Sequence, residues 1–199
     1  MTNGSITASD QFIVLHALAI GGLIDDQEIR IRSGLSATSV AQELGELGQQ
    51  GLARHRDGRI TGWMLNDDGR ARHRELLAIT CGDLDRASVA ARYDEWLPMN
   101  QSFKDICTSW QTDRDHRASC VALAPVIERT VPICSALGRL VPWMALYVPR
   151  LADAADRFTA GDKTALTRPM SGSVHDVWME LHQDLLLTLG RDRSAVDGH

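Results

Sequence analysis

Three arginines surround one tight turn near position 58. Arg54 and Arg56 precede the dipeptide Asp57-Gly58, and Arg59 follows it. Guanidinium groups bind phosphate oxygens through paired hydrogen bonds, and many contacts between proteins and DNA go to phosphates. These arginines are therefore candidates for phosphate contact. The structural alternative is an ordinary solvated hairpin.

A second candidate set lies shortly before the arginines. Ser36, Thr38, Ser39 and Gln42 carry hydroxyl and amide groups that can bond base edges or phosphates. Residues 36–50 contain two acidic side chains and neither lysine nor arginine. Attraction to DNA would therefore rest mainly on the nearby arginines. The alternative is that this segment contacts another protein.

The local pattern predicts a helix-turn-helix around these residues. Asp10 is expected to cap a first apolar helix. Ser33-Gly34 is expected to form the tight turn between two later helices, since glycine accepts backbone angles that other residues resist. Ser36 is a predicted N-cap, and Gly51 stands where the helix should end. The intervening apolar residues repeat at helical spacing and predict one buried stripe: Val40, Leu44 and Leu47.

A β-hairpin and a further helix are predicted next. Residues 52–56 and 59–65 read as short strands, and Asp57-Gly58 is a strong signal for a two-residue turn between them. Asn66 or Asp67 then caps a helix that runs to about residue 80. That helix carries three further arginines, Arg70, Arg72 and Arg74. Helix, hairpin and helix in this order predict a wing beside a recognition helix.

The first part of the chain resembles the MarR family of transcriptional regulators over about 65 residues. The resemblance rests on GLSATSV before a helix, on Gly51-Leu52 before the arginines, on Asp57-x-Arg59, and on the run from Leu65 to Arg70. It implies that residues 36–50 enter the major groove of double-stranded DNA. It also implies that Arg59, oriented by Asp57, reaches the minor groove.

Two departures from the family pattern concern dimerisation. Only about nine residues precede the first predicted helix, where the family usually has an additional dimerisation helix. A much longer helical segment replaces the family's C-terminal arm. The resemblance still implies a homodimeric, DNA-binding transcription regulator that responds to a small-molecule effector.

The second half of the chain is predicted to be a bundle of four or five helices. We place the division so that residues 1–81 form the winged helix-turn-helix and residues 82–199 form the bundle. Asn100 is a predicted helix cap. A last helix is expected from about Ser173 to Leu189, ending at Gly190 and followed by a charged tail. Prolines are expected to stop or kink helices at four positions: Pro98, Pro125, Pro132 and Pro149.

Aromatic residues and histidines make the bundle a candidate effector site. Trp110, Trp143, Trp178 and His182 are the proposed ligand-binding residues, with simple core packing as the alternative. His175 and His182 share a helix face, but no third ligand has convincing spacing, so no metal site is predicted. Glu180 and Asp184 are expected on a solvated face.

Composition limits the remaining functions. The 199 residues carry a net charge of −5, of which residues 1–80 contribute −2 (8 Arg against 10 acids), which argues against a broad nucleic-acid-coating surface. We expect a cytoplasmic protein with reduced cysteines and no membrane-spanning segment, since no secretory leader, uninterrupted apolar span or CxxC spacing is evident. No motif of a known catalytic site is present, so neither an enzyme nor a cofactor is expected.

The second half is also similar to an uncharacterised helical module. The similarity rests on the segments YDEWLPMNQSFKDICTSWQ and VWMELHQDLLLTLGRDR. We associate this module with MarR-like regulators and with the tail of some short pyruvate phosphate dikinase-like proteins. The sequence thus predicts a mainly α-helical protein with a small β-hairpin wing. It is either a ligand-responsive DNA-binding regulator or a winged-helix module for protein interaction.

Overall fold

The computed structural model describes residues 8–191, and 73% of the structure is helical. The predicted fold class, mainly α with a small β-hairpin, is confirmed. The chain forms two compact units, Met1–Leu84 and Asp85–His199. The predicted charged tail lies outside the described residues, apart from Arg191.

The first unit contains four helices and one hairpin within residues 8–84. In chain order these are α1 (Asp10–Gly21), α2 (Asp26–Ser33), α3 (Ala37–Gln49), β1 (Ala53–Arg56), β2 (Gly62–Leu65) and α4 (Asp67–Thr80). This arrangement fits a winged-helix shape. Its core is formed by buried apolar side chains from α1, α2, α3 and the hairpin: Val14, Leu15, Leu18, Ile29, Val40, Leu44, Leu47 and Leu65.

Local capping explains where these helices begin and end. Ser36 accepts a hydrogen bond from Ser39 N at 3.1 Å and caps α3, as predicted. At the other end, Gly51 adopts φ +69°, while Leu52 N bonds Leu47 O and Gly51 N bonds Gly48 O. These two bonds form a Schellman motif, which favours glycine at this position.

The structure decides between the two predicted caps of α4 and corrects the predicted cap of α1. Asn66 is the residue that caps α4, with its Oδ1 accepting from Gly69 N at 2.8 Å. Its Nδ2 also donates to Gly51 O, so Asn66 connects the end of α3 to the start of α4. Asp10 does not cap α1. Ser9 does so instead, because its side chain accepts from Phe12 N at 3.2 Å.

The hairpin turn differs from the predicted one. A two-residue turn at Asp57-Gly58 would pair Arg56 with Arg59, but Arg56 pairs with Gly62 and the connection spans residues 57–61. The register is fixed from outside the hairpin, because Trp63 exchanges two backbone hydrogen bonds with Ile24. A Cβ on Gly62 would lie 2.5 Å from Ile24 O, so glycine permits this close approach.

The second unit contains four α-helices and a short 3-10 helix among the described residues. These are α5 (Arg86–Asp113), α6 (His116–Leu140), the 3-10 helix Pro142–Leu146, α7 (Tyr147–Thr159) and α8 (Val174–Leu189). Helix α5 packs against α6 and α8, while α7 also packs against α6 and α8, which closes the four helices into a bundle.

The predicted helix end at Pro98 is wrong, and the helix that contains Pro125 and Pro132 is not divided in two; the predicted kinks stay predictions. Pro98 lies inside α5, and Pro125 and Pro132 lie inside α6. Asn100 is buried within α5 and is not a cap, since its Oδ1 accepts from Trp178 Nε1 at 2.9 Å. Contacts of buried aromatic side chains along α5 therefore outweigh the local preference for a break.

Buried polar groups in the bundle overturn another prediction. Asp184 is fully buried and accepts hydrogen bonds from Trp143 Nε1, Tyr147 Oη and Thr188 Oγ1 at 3.1–3.3 Å. Glu180 forms an ion pair with Arg150, and both side chains are almost buried. The expected solvated face of Glu180 and Asp184 is therefore an interior face of α8.

Within the described part of the chain, one helix meets the length and composition criteria for a membrane span. The most apolar 18-residue window of α6 has a mean hydropathy of 1.5 and is 28% buried. The sequence prediction excluded such a segment because no uninterrupted apolar run reaches about 18 residues. In α6 the charged residues Glu128 and Arg129 interrupt the run, which an averaged window tolerates. A single such helix is weak evidence, since core helices of soluble proteins meet the same criteria.

Candidate nucleic-acid interface

Helix α3 presents few free polar groups on its exposed face. Ser36 is engaged as the helix cap, and its Oγ lies 3.0 Å from Ser39 Oγ. Gln42 donates to Glu46 at 3.1 Å. Thr38 is exposed at the start of the helix. Of the four predicted base-contacting side chains, Thr38 is thus the best placed to meet a partner, and Gln42 can offer its amide oxygen, which does not take part in the bond to Glu46.

The same helix carries negative charge. Burial raises the pKa of the Glu43 carboxyl above its usual value, and the nearby carboxylates of Glu46 and Asp10 raise it further. Because residues 36–50 contain no cation, the helix itself does not attract phosphate. Any DNA affinity of this unit must come from side chains beside α3.

The hairpin supplies cationic side chains beside α3. Arg54 and Arg56 alternate with His55 along β1, so they extend from one face of the hairpin while His55 lies on the other. His55 packs against Trp63 with ring centroids 5.3 Å apart, and Trp63 lies beside Gly48 of α3. The inner face thus anchors the hairpin to α3, and the outer face presents the two arginines to solvent.

Arg59 lies in the exposed connection between the strands. The predicted pairing with Asp57 is not found within residues 8–191, since Asp57 Oδ1 instead lies 3.3 Å from His55 Nδ1. Arg59 is thus held less firmly than the resemblance implied.

Ion pairing distinguishes the hairpin arginines from Arg70 and Arg72 of α4. Arg72 pairs with Glu75 at 2.7 Å, and Arg70 lies 3.9 Å from Asp67. In the part of the chain that the structure describes, no ion pair involves Arg54, Arg56 or Arg59. Arg30 and Arg74 are likewise exposed and form no ion pair within residues 8–191, so the three hairpin arginines are distinguished by their grouping in one short segment.

A buried histidine pair beneath α4 was not anticipated from the sequence. His16 Nδ1 and His73 Nε2 lie 2.9 Å apart, with one nitrogen donating and the other accepting. Both side chains are buried, and the His73 ring stacks on Phe12. The pair connects α1 to α4. Its members are 57 residues apart, so no spacing pattern could reveal it.

The proposed effector residues occupy two different environments in the second unit. Trp143, Trp178 and His182 are buried and hydrogen-bonded to Asp184, Asn100 and Tyr93, respectively. Trp110 is also buried, but it borders a pocket at the carboxyl end of α5. The structure thus does not gather the four side chains around one site, although all four are buried.

Residues 8–191 contain no cluster of three or more potential metal ligands. The four cysteines are free; Cys81 and Cys134 are buried, whereas Cys107 and Cys120 are partly buried. Burial raises the pKa of both Cys107 and Cys134 to about 12, which makes these thiols poor nucleophiles.

No protein-family model matches the chain, and no curated protein matches its sequence. The case for function therefore depends on the chain's own residues.

Proposed function

We propose that this protein is a DNA-binding transcriptional regulator of the MarR type whose helical second unit responds to a small-molecule effector. The observation that carries the proposal is the set of exposed hairpin arginines, Arg54, Arg56 and Arg59, which have no ion-pair partner within residues 8–191. They extend from a hairpin that is anchored to α3 through Trp63. A cytoplasmic location is part of the proposal.

In the proposed mechanism, α3 enters the major groove and the hairpin arginines contact the backbone or the minor groove. Two protomers of a homodimer read half-sites about one helical turn apart. Thr38 and Gln42 meet base edges, while Arg54, Arg56 and Arg59 supply the electrostatic attraction that α3 lacks. The resemblance in sequence supports these roles.

Effector response is the second part of the proposal. An effector that binds one arrangement of the dimer better than another shifts the population towards that arrangement. DNA affinity then changes by the coupling free energy between the two sites, which is about 1–3 kcal/mol in typical cases.

Binding to genomic DNA across a salt series tests the proposal. The intact chain is incubated with genomic fragments that include the region upstream of its own coding sequence. We expect saturable binding to one region that weakens steeply as salt rises. Failure to bind any fragment at low salt contradicts the proposal.

The acidic surface of α3 favours a second candidate function. Glu46 is exposed and Glu43 is partly buried on a helix without lysine or arginine, which suits a cationic protein surface better than DNA. In this alternative the winged helix is a module for protein interaction or regulation. The similarity of the second half relates the chain to the accessory tail of pyruvate phosphate dikinase-like proteins. Recovery of one stoichiometric protein partner, together with absence of DNA binding, supports this function.

A further inference from the structure

A basic pocket lies in the second unit, where the carboxyl end of α5 meets the connection between α7 and α8. It has a volume of about 540 Å³ and is lined by Trp110, Arg114, Lys163, Thr164, Thr167 and Arg168. Pockets for small molecules commonly span about 300–1,000 Å³. The basic pocket is therefore large enough for a small metabolite.

The connection between α7 and α8, which provides most of the residues that line the basic pocket, is fixed by hydrogen bonds and by buried side chains. Asp162 Oδ1 accepts from Thr164 N at 3.0 Å and from Thr164 Oγ1 at 2.7 Å. Ala165 and Leu166 are fully buried, and their carbonyls accept from the first residues of α8. Arg168 N donates to Thr164 O at 3.1 Å. Lys163 and Arg168 therefore extend from one ordered turn.

The basic pocket is lined by three cationic side chains, and none of them forms an ion pair within the described residues. No ion pair within residues 8–191 involves Arg114, Lys163 or Arg168. The Arg114 guanidinium lies over the Trp110 ring, 5.4 Å from its centroid. Three cations around one pocket repel each other, and a bound anion relieves that repulsion.

The neighbouring carboxylates are engaged elsewhere. Asp162 bonds Thr164 and lies 3.6 Å from Arg157. Asp115 caps α6 by accepting from Ala118 N at 2.9 Å. Asp113 and Asp115 line a separate groove of about 360 Å³. The acidic and basic side chains at this end of the bundle thus border different pockets.

Trp110 provides an independent observation at the same place. It is 2% exposed, and its indole Nε1 has no hydrogen-bond partner in the described chain. A buried indole N–H usually finds an acceptor. Because Trp110 lines the basic pocket, an oxygen atom of a bound ligand is a candidate acceptor for this N–H.

We propose that the basic pocket binds a small phosphorylated molecule through Arg114, Lys163 and Arg168. A phosphate dianion has three terminal oxygens and a charge that suits three cations, whereas a single carboxylate has two oxygens and one charge. The Thr167 hydroxyl supplies a further donor. The site lies within the second unit and does not depend on DNA binding by the first, so failure of either proposal leaves the other intact.

Calorimetric titration of the full chain tests the site. Inorganic phosphate and ribose 5-phosphate are the phosphate probes, and malonate at matched ionic strength is the dicarboxylate control. We expect saturable binding of both phosphate probes and weaker binding of malonate. Malonate binding as tight as phosphate binding, or heat that never saturates with phosphate, overturns the assignment.

Matched variants locate the binding. Lys163→Gln and Arg168→Gln change exposed side chains, and each should weaken phosphate binding about tenfold or more, the value of one charge-assisted hydrogen bond. Arg129→Gln removes an exposed positive charge from α6 outside the basic pocket and should leave affinity unchanged. Equal affinity in Lys163→Gln, Arg168→Gln and the unmodified chain places the phosphate elsewhere and overturns the proposal.

Discussion

Tyr147 donates its phenolic hydrogen to a carboxyl oxygen of Asp184 at 3.1 Å, and both side chains are buried in the bundle. Burial raises the pKa of Tyr147 well above its usual value, and the carboxylates of Asp184 and Glu180 raise it further. In the unfolded chain this phenol ionises near pH 10. The contribution of Tyr147 to stability is therefore complete below about pH 10 and falls as the pH rises towards its folded pKa.

Tyr147→Phe should remove this part of the alkaline decline. At neutral pH the substitution should cost about 1.5–3 kcal/mol, because Asp184 loses one donor. Between about pH 9 and about pH 11, the free energy of unfolding should fall less steeply than in the unmodified chain. Urea unfolding at several pH values measures both effects.

Thr188→Val is the control for this experiment. It removes another hydrogen bond to Asp184 but no ionisable group. It should cost stability at neutral pH and keep the alkaline decline. An equal decline in Tyr147→Phe and Thr188→Val would show that Tyr147 ionisation does not limit stability.

Gly69→Ala should destabilise the first unit, whereas Gly45→Ala should stabilise it. A Cβ on Gly69 would lie 2.0 Å from Leu52 O, so the backbone must shift, at a cost of about 1–3 kcal/mol. Gly45 lies in α3, where an added Cβ would meet no neighbouring group within 4 Å. Alanine there should add about 1 kcal/mol through helix propensity. Chemical denaturation compares the two, and equal effects would contradict the packing at Gly69.

Pro98→Ala should stabilise the second unit. Pro98 lies inside α5 and cannot donate to the carbonyl of Asp94, whereas alanine restores that hydrogen bond. The gain should be up to about 3 kcal/mol. Pro149 lies in the first turn of α7, where no such donor is needed, so Pro149→Ala should change stability little. A loss of stability in Pro98→Ala would indicate that the helix depends on a proline-induced bend.

Cys107 and Cys134 should resist alkylation in the native protein at neutral pH. Their pKa values of about 12 leave very little thiolate, and Cys134 is also fully buried. Iodoacetamide labelling followed by peptide mass spectrometry should show modification of both residues only after denaturation. Labelling of native Cys134 at the rate of a free thiol would contradict its position in the core.

Short-range signals predicted much of the fold. Ser36 caps the start of α3, and Gly51 and Gly190 lie at the ends of helices, as the sequence predicted. Such caps are predictable because they depend on neighbouring backbone groups. Long-range contacts decided the rest. The hairpin register depends on Ile24, which lies 39 residues before Trp63, and the burial of Asp184 depends on Trp143 and Tyr147, which lie 41 and 37 residues away.

The candidate interface was predictable in composition but not in geometry. The grouping of Arg54, Arg56 and Arg59 is evident in the sequence, but their lack of ion-pair partners within residues 8–191 is not. The contact between Asp57 and His55 is likewise visible only in the folded hairpin. The basic pocket joins Arg114 to a turn about 50 residues later, so only the folded bundle reveals it.

The salt dependence of DNA binding tests the central proposal most directly. The slope of log affinity against log salt is measured for the intact chain and for the triple variant Arg54→Ala, Arg56→Ala, Arg59→Ala. Each lost phosphate contact should reduce the steepness by about 0.9 per protomer. Arg72→Ala removes an arginine that already pairs with Glu75, so the slope should change little. An unchanged slope and affinity in the triple variant would contradict the account, whereas a shallower slope with weaker binding is the result that we predict.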